Sequence, residues 1–226
     1  MRVSLLLLAA VAVAIVILLG ISVSGGLSDP LDEAVIRAVR SDALRDLLSP
    51  LRWITELGST GAVIGVAVVT LLVGVAIGPW RHGVIGALTI GLTSVGNQAF
   101  KAFVARQRPD LLEPIVVEHG FSFPSGHAIL SMVAYGVLAI LVSRSRLPLA
   151  ARRATIAALG CLILLIGVSR VWLGVHYPTD VLAGWTAGTV IVLLYARFTR
   201  SVSLEPAAAA VDADPAVPRS GPPAPG

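Results

Sequence analysis

Arg170, His176 and Asp180 lie in the stretch Ser169-Arg170-Val171-Trp172-Leu173-Gly174-Val175-His176-Tyr177-Pro178-Thr179-Asp180, between two long apolar runs. Charged side chains are costly in such a setting, so their presence points to a use. Pro178 suits the first turn of a helix. That puts Tyr177 near the N-cap, leaves His176 just outside the helix, and places Asp180 one turn in, within reach of one imidazole nitrogen. A histidine held through one nitrogen presents the other, in a fixed tautomer, as nucleophile or base. Arg170 adds a planar fork suited to phosphate oxygens. An interfacial loop whose Arg, His and Asp merely face water would carry the same residues, so the other segments must decide between the two.

The first of these is Lys101-Ala102-Phe103-Val104-Ala105-Arg106-Gln107-Arg108-Pro109. Lys101, the only lysine in the chain, and Arg108 are nearly two helical turns apart and share a face for as long as a helix persists. Pro109 disfavours helix at Arg108, so the expected end is there, with the guanidinium at the mouth. Two cations on one face suit a bound anion, and snorkelling of both side chains to lipid headgroups is the alternative. The second segment is Phe123-Pro124-Ser125-Gly126-His127, where Ser125 suits an N-cap and Gly126 and His127 open a helix whose first N–H groups lack intrahelical partners. Such a start binds anions, and glycine lets a phosphate approach the backbone. His127 is placed to donate a proton to a bound phosphoryl group. Together these residues are a phosphoryl-transfer set in which cations and backbone donors supply the charge stabilisation. Carboxylates grouped for magnesium or zinc are not seen near them, so no metal and no cofactor is expected; Asp110, Glu113, Glu118 and His119 read as a solvated rim.

The elements that must position this set are membrane helices. Hydrophobic residues make up 56% of the 226 and charged residues 13%, and the mean hydropathy is +0.87, values outside the soluble range. The net charge of +4 comes from dispersed arginines, which argues against nucleic-acid binding, and no obligate protein partner is evident. Cys161, within an apolar run, reads as a small buried hydrophobe. Residues 3–24 are an uncharged run of spanning length, read as a retained, signal-anchor-like first span, and residues 1–25 as its unit. Residues 26–57 read as an interfacial amphipathic helix starting at Asp29-Pro30, with Leu31, Val35 and Val39 on its apolar face. Residues 58–200 form a five-span core, with spans near 59–78, 83–105, 126–143, 154–169 and 178–196; His82 falls in a polar turn. Residues 201–226, rich in Ala, Pro and Gly, read as a disordered tail. The expected fold is thus an all-α integral membrane protein, a six-transmembrane helical bundle. Parity then puts the end of the third span, the start of the fourth and the link from fifth to sixth on one side of the membrane.

Lys101-x6-Arg108-Pro109, Pro124-Ser125-Gly126-His127 and Ser169-Arg170-x5-His176-x3-Asp180 resemble, in order and at the same span ends, the three signature motifs of the type 2 phosphatidic acid phosphatases, also called lipid phosphate phosphatases. The resemblance covers roughly residues 50–198. It implies that His176 forms a phosphohistidine, that Asp180 orients it, and that His127 protonates the leaving oxygen and later activates water. It further implies phosphate binding by Lys101, Arg108, Arg170, Ser125 and Gly126, without metal.

The expected partners are membrane lipids and a lipid phosphate or diphosphate substrate: phosphatidate, phosphatidylglycerophosphate or undecaprenyl diphosphate. A lipid phosphotransferase and a non-catalytic lipid-phosphate binder or transporter are the alternatives. Arg2, Arg81, the arginines of 144–153, Arg197 and Arg200 would face the cytoplasm under the positive-inside rule, placing the site on the outer side of a plasma membrane. Arg37, Arg40, Arg45 and Arg52 fall on the opposite side, interspersed with acids.

Overall fold

A computed structural model describes residues 2–40, 48–77, 80–111 and 115–212, all helix and connecting loop with no strand among them. Eight helices follow in order: α1 Arg2–Ser24, α2 Asp29–Val39, α3 Leu48–Glu56, α4 Thr60–Ile77, α5 Trp80–Val104, α6 Gly126–Ser143, α7 Leu149–Trp172 and α8 Pro178–Asp212. Of these, α1, α6, α7 and α8 are long and apolar enough to cross a membrane, and α3 with α4, bent by 52°, makes a fifth candidate when counted as one span. α5 has the length, at 25 residues, but Asn97, Gln98 and Lys101 make it less apolar than the others.

α6 is the central helix. Leu130, Val133, Ala134 and Val137 are buried against Val63 of α4, Ile90 of α5 and Tyr195 of α8. With lipid rather than water outside, packing and not burial from water holds such helices together, and small residues permit close approach. Gly136 lies against Val192 and Gly188 against Met132. At Gly184 a Cβ would meet the Ala128 Cβ at 2.9 Å and the Ser125 carbonyl at 3.0 Å, so the starts of α6 and α8 stay together only with glycine there.

Several details differ from the sequence-based expectation. The region read as one interfacial helix holds two, α2 and α3; residues 41–47 lie outside the described part. α2 starts at Asp29 with Pro30 in its first turn, as expected, but its buried positions are Asp32 and Ile36, and Leu31 is exposed. A carboxylate can be buried there because it has donors to receive, described below. His82 is buried inside α5, where its carbonyl accepts the Tyr195 hydroxyl at 3.0 Å, so it is no solvated turn residue. Cys161 is exposed on α7 rather than buried. α8 continues to Asp212, into the stretch read as tail, where an Ala run favours helix; residues 213–226 lie outside the described part.

Candidate active site

The three motifs converge on a cavity of about 300 Å³ whose walls include Lys101, Arg108, Gly126, His127 and His176. The meeting of the three motifs expected from the sequence is therefore observed. α7 ends at Trp172, and Gly174 turns the chain with φ +77, a conformation that suits glycine. His176 follows in that turn and Pro178 begins α8.

His176 is 2% exposed and held at both nitrogens. Nδ1 lies 3.2 Å from Asp180 Oδ2, and Nε2 lies 3.3 Å from Arg108 Nη1. Asp180 Oδ2 also accepts the Tyr177 N–H at 2.9 Å, a reach back from the first turn to the cap that locks the carboxylate to the helix start. A carboxylate on Nδ1 assigns the proton to that nitrogen and leaves the Nε2 lone pair toward the cavity. Burial brings the imidazole down from its ordinary 6.5 to about 4; Asp180 opposes this shift, and Lys101 and Arg170 add to it. At neutral pH the ring is therefore uncharged, the state a nitrogen nucleophile requires.

The cations come from different elements, and of them Lys101 and Arg108 line the cavity. Lys101 ends α5 and donates to the carbonyls of Phe121 at 2.6 Å and Ser122 at 3.2 Å. Arg108 does not share its helical face. α5 stops at Val104, before the residue that Pro109 would have restricted, because Ala105 takes φ 54 and turns the chain away. Residues 106–108 then run beside 120–122: the Ser122 N–H donates to the Arg106 carbonyl at 2.8 Å, and Arg108 Nε to that of Gly120 at 3.1 Å. Arg108 Nη1 also donates to the Val175 carbonyl at 2.8 Å, which fixes the guanidinium beside His176. Arg170 is buried in α7, with Nη1 donating to Thr55 Oγ1 at 2.8 Å and Nη2 to Glu118 Oε1.

Ser125 caps α6 as expected, its Oγ accepting the Ala128 N–H at 3.5 Å. It is fully buried in that role, where it shapes the helix start; of the expected phosphate ligands, Ser125 and Arg170 do not line the cavity. Gly126 does line it; a Cβ there would come within 3.3 Å of Asn97 Nδ2.

Sequence reasoning missed four contributors. Glu118, read as solvated rim, pairs with Arg170 and approaches Arg108 at 3.8 Å, so a carboxylate sits among the cations at the cavity. Glu113 of the same expected rim lies outside the described part. Gly58, between α3 and α4, backs His127: a Cβ there would lie 2.9 Å from His127 Cδ2 and 2.6 Å from Ile166. Arg106 binds Asp180 Oδ1 at 2.8 Å and Asp32 Oδ2 at 2.9 Å. Asp32 in turn accepts the Thr179 N–H at 3.0 Å and its hydroxyl at 2.6 Å. The turn-type pair Gly58-Ser59 was the only local signal for any of them.

With this geometry in view, comparisons with known proteins give the class. Residues 82–203 match the model of the PAP2 superfamily. Phosphatidylglycerophosphatase B of Bacillus subtilis is 31% identical over 179 residues, covering 76% of this chain and 84% of its own. The crystal structure of a transmembrane PAP2-type phosphatidylglycerolphosphate phosphatase from the same organism superposes with a TM-score of 0.79 at 28% identity, covering 86% of this chain and 96% of that one. An undecaprenyl-diphosphatase of Sulfolobus acidocaldarius is 31% identical over 122 residues, 50% of this chain and 53% of its own. The chain belongs to the PAP2 superfamily. It is a multi-pass membrane protein and a phosphatase of that family.

Proposed function

We propose that this chain removes the terminal phosphate of a lipid phosphate or diphosphate through a phosphohistidine on His176. The observation that carries the reading is the clamping of His176 between Asp180 at Nδ1 and Arg108 at Nε2, at the wall of a cavity bearing Lys101 and His127. Nε2 attacks phosphorus, the N–P bond forms, and the bond from phosphorus to the lipid oxygen breaks. His127 gives that oxygen its proton. His127 then takes a proton from water, whose oxygen attacks phosphorus as the N–P bond breaks, releasing inorganic phosphate and free His176. Lys101, Arg108, Arg170 and the Gly126 amide hold the phosphoryl oxygens, with Ser125 supporting that amide through its cap, and Glu118 yields its place on the two arginines to phosphate.

Phosphatidylglycerophosphate and undecaprenyl diphosphate are the substrates of choice, by analogy with the named relatives. The bundle carries six spans, α1, bent α3 with α4, α5, α6, α7 and α8, and α2 rests at the membrane interface. The arginine distribution orients the cavity outward across a plasma membrane. The site at helix ends suits a lipid whose headgroup enters while its tail stays in the bilayer.

The test is phosphate release by detergent-purified protein, in excess EDTA, from both lipids, with His176→Ala in parallel. The expected result is metal-independent release that falls by about 10⁵-fold in the variant, as for loss of other covalent nucleophiles. Binding of both lipids without release by the wild type would move the carrier reading ahead. Release only when a second lipid is supplied as acceptor would favour the phosphotransferase.

A further inference from the structure

Arg106 lies between the two cations of the first motif but has its own partners. Its side chain is 8% exposed. Nη1 donates to Asp180 Oδ1 at 2.8 Å and Thr179 Oγ1 at 2.9 Å, while Nη2 donates to Asp29 Oδ1 and Asp32 Oδ2, both at 2.9 Å. The guanidinium plane also stacks on Tyr177, 3.8 Å from the ring centroid. One planar fork thus joins α2 to the start of α8, a task a lysine cannot reproduce.

The consequence falls on Asp180. Its Oδ2 serves His176 and the Tyr177 N–H, and its Oδ1 serves Arg106. A carboxylate turns easily about its last torsion, so partners on both oxygens are what fix its plane. The backbone is shaped for the same end. Ala105, immediately before, holds φ 54, a costly conformation for a residue with a Cβ, and this turn directs Arg106 inward.

We propose that Arg106, anchored on α2 by Asp29 and Asp32, is a positioning residue for catalysis that fixes the plane of Asp180 and, through it, the orientation and tautomer of His176. The proposal rests on the reading of His176 as nucleophile. It also gives α2 a role: the helix before the core is the abutment of the catalytic carboxylate.

The test uses the full chain, purified in detergent, with Arg106→Lys, Arg106→Ala, Asp32→Asn and His176→Ala. Arg106→Lys is expected to lower kcat by about 10²-fold, the cost of a small misplacement of a reacting group, while KM and inhibition by inorganic phosphate stay near wild type. Asp32→Asn leaves Arg106 on Asp180 and is expected to fall between wild type and Arg106→Lys. The charged and titratable groups facing His176 are Asp180, Arg108, Lys101, Arg170 and His127. Loss of the Arg106 cation leaves the charge of Asp180 less compensated, which favours protonated His176 and moves the acidic limb of kcat upward in Arg106→Ala. Where Arg106→Ala does not fold, Arg106→Lys and Asp32→Asn decide. Wild-type kcat in folded Arg106→Lys overturns the proposal, and so does a loss that only follows the folded fraction with the acidic limb unmoved. Full activity in His176→Ala overturns the nucleophile reading and this proposal with it, whereas a dead His176→Ala beside unaltered Arg106 variants overturns this proposal alone.

Discussion

α6 and α8 begin side by side, joined by the Ser125 N–H donating to the Asp180 carbonyl at 3.0 Å, yet the two helix starts meet negative charge in opposite ways. The start of α8 is filled from within: the Tyr177 N–H goes to Asp180 and the Thr179 N–H to Asp32, both buried carboxylates of the chain itself. The start of α6 carries no acid in its first turn and opens onto the cavity through Gly126 and His127. Both ends offer the same partial positive charge and unpaired donors. The difference lies in who supplies the anion. An internal carboxylate makes one end rigid and orients His176; glycine leaves the other end open to the cavity, where the proposed mechanism would seat a phosphate.

Breaking the closed end has the larger effect. Asp180→Asn leaves the shape but offers an amide where His176 Nδ1–H needs an acceptor, and phosphatase activity is expected to fall by about 10⁴-fold, as when an orienting carboxylate is lost from other His–Asp pairs. Turnover assays on folded protein check it, and a loss below tenfold would remove the distinction between the two ends. Gly126→Ala closes the open end instead, placing a Cβ where a phosphate would meet the backbone and 3.3 Å from Asn97 Nδ2. The expected fall in kcat/KM is about 10²-fold, the scale of one lost oxyanion donor, without loss of thermal stability.

A smaller effect concerns pH. Since burial lowers His176 to about 4, the neutral ring persists as pH falls and is lost only on passing through that value. At pH 5 about nine-tenths of it stays neutral, whereas an ordinary histidine would be about 30-fold depleted of its neutral form. The kcat/KM profile reads this directly, and an acidic limb near 6.5 assigned to His176 by its variants would show a ring less sheltered than the closed end implies. The smallest effect lies where the chain supplies a carboxylate to the open side. Glu118 holds Arg170 and approaches Arg108, where it would compete with a bound phosphate under the proposed mechanism, so Glu118→Gln is expected to tighten inhibition by inorganic phosphate several-fold. Weaker inhibition would mean that Glu118 orients the arginines rather than competing for them.

How much of this was legible in the sequence varies with the range of the interaction. Ser125 as cap and Pro178 at the head of α8 follow from one-turn rules, and α6 spans the residues expected of it. The shared face of Lys101 and Arg108 did not survive, because the chain leaves the helix at Ala105, with φ 54, and the Arg106 carbonyl pairs with the Ser122 N–H instead of continuing the helix. His82 and Cys161 went the opposite way from expectation for a related reason: in lipid, exposure is not read from polarity alone.

The sequence by itself determined the membrane helices, through unbroken apolar length, and the motifs at their ends, through residue types that bilayers tolerate only for a use. Span parity then gave the expectation that those motifs meet. Only the tertiary structure decided which charges answer each other. Asp32 meets Thr179 across 147 positions, Arg106 meets Asp180 across 74, and Arg170 meets Glu118 across 52. Periodicity reports neighbours a few residues apart, whereas a buried carboxylate is stable only where the fold brings donors to it, and that is a property of packing.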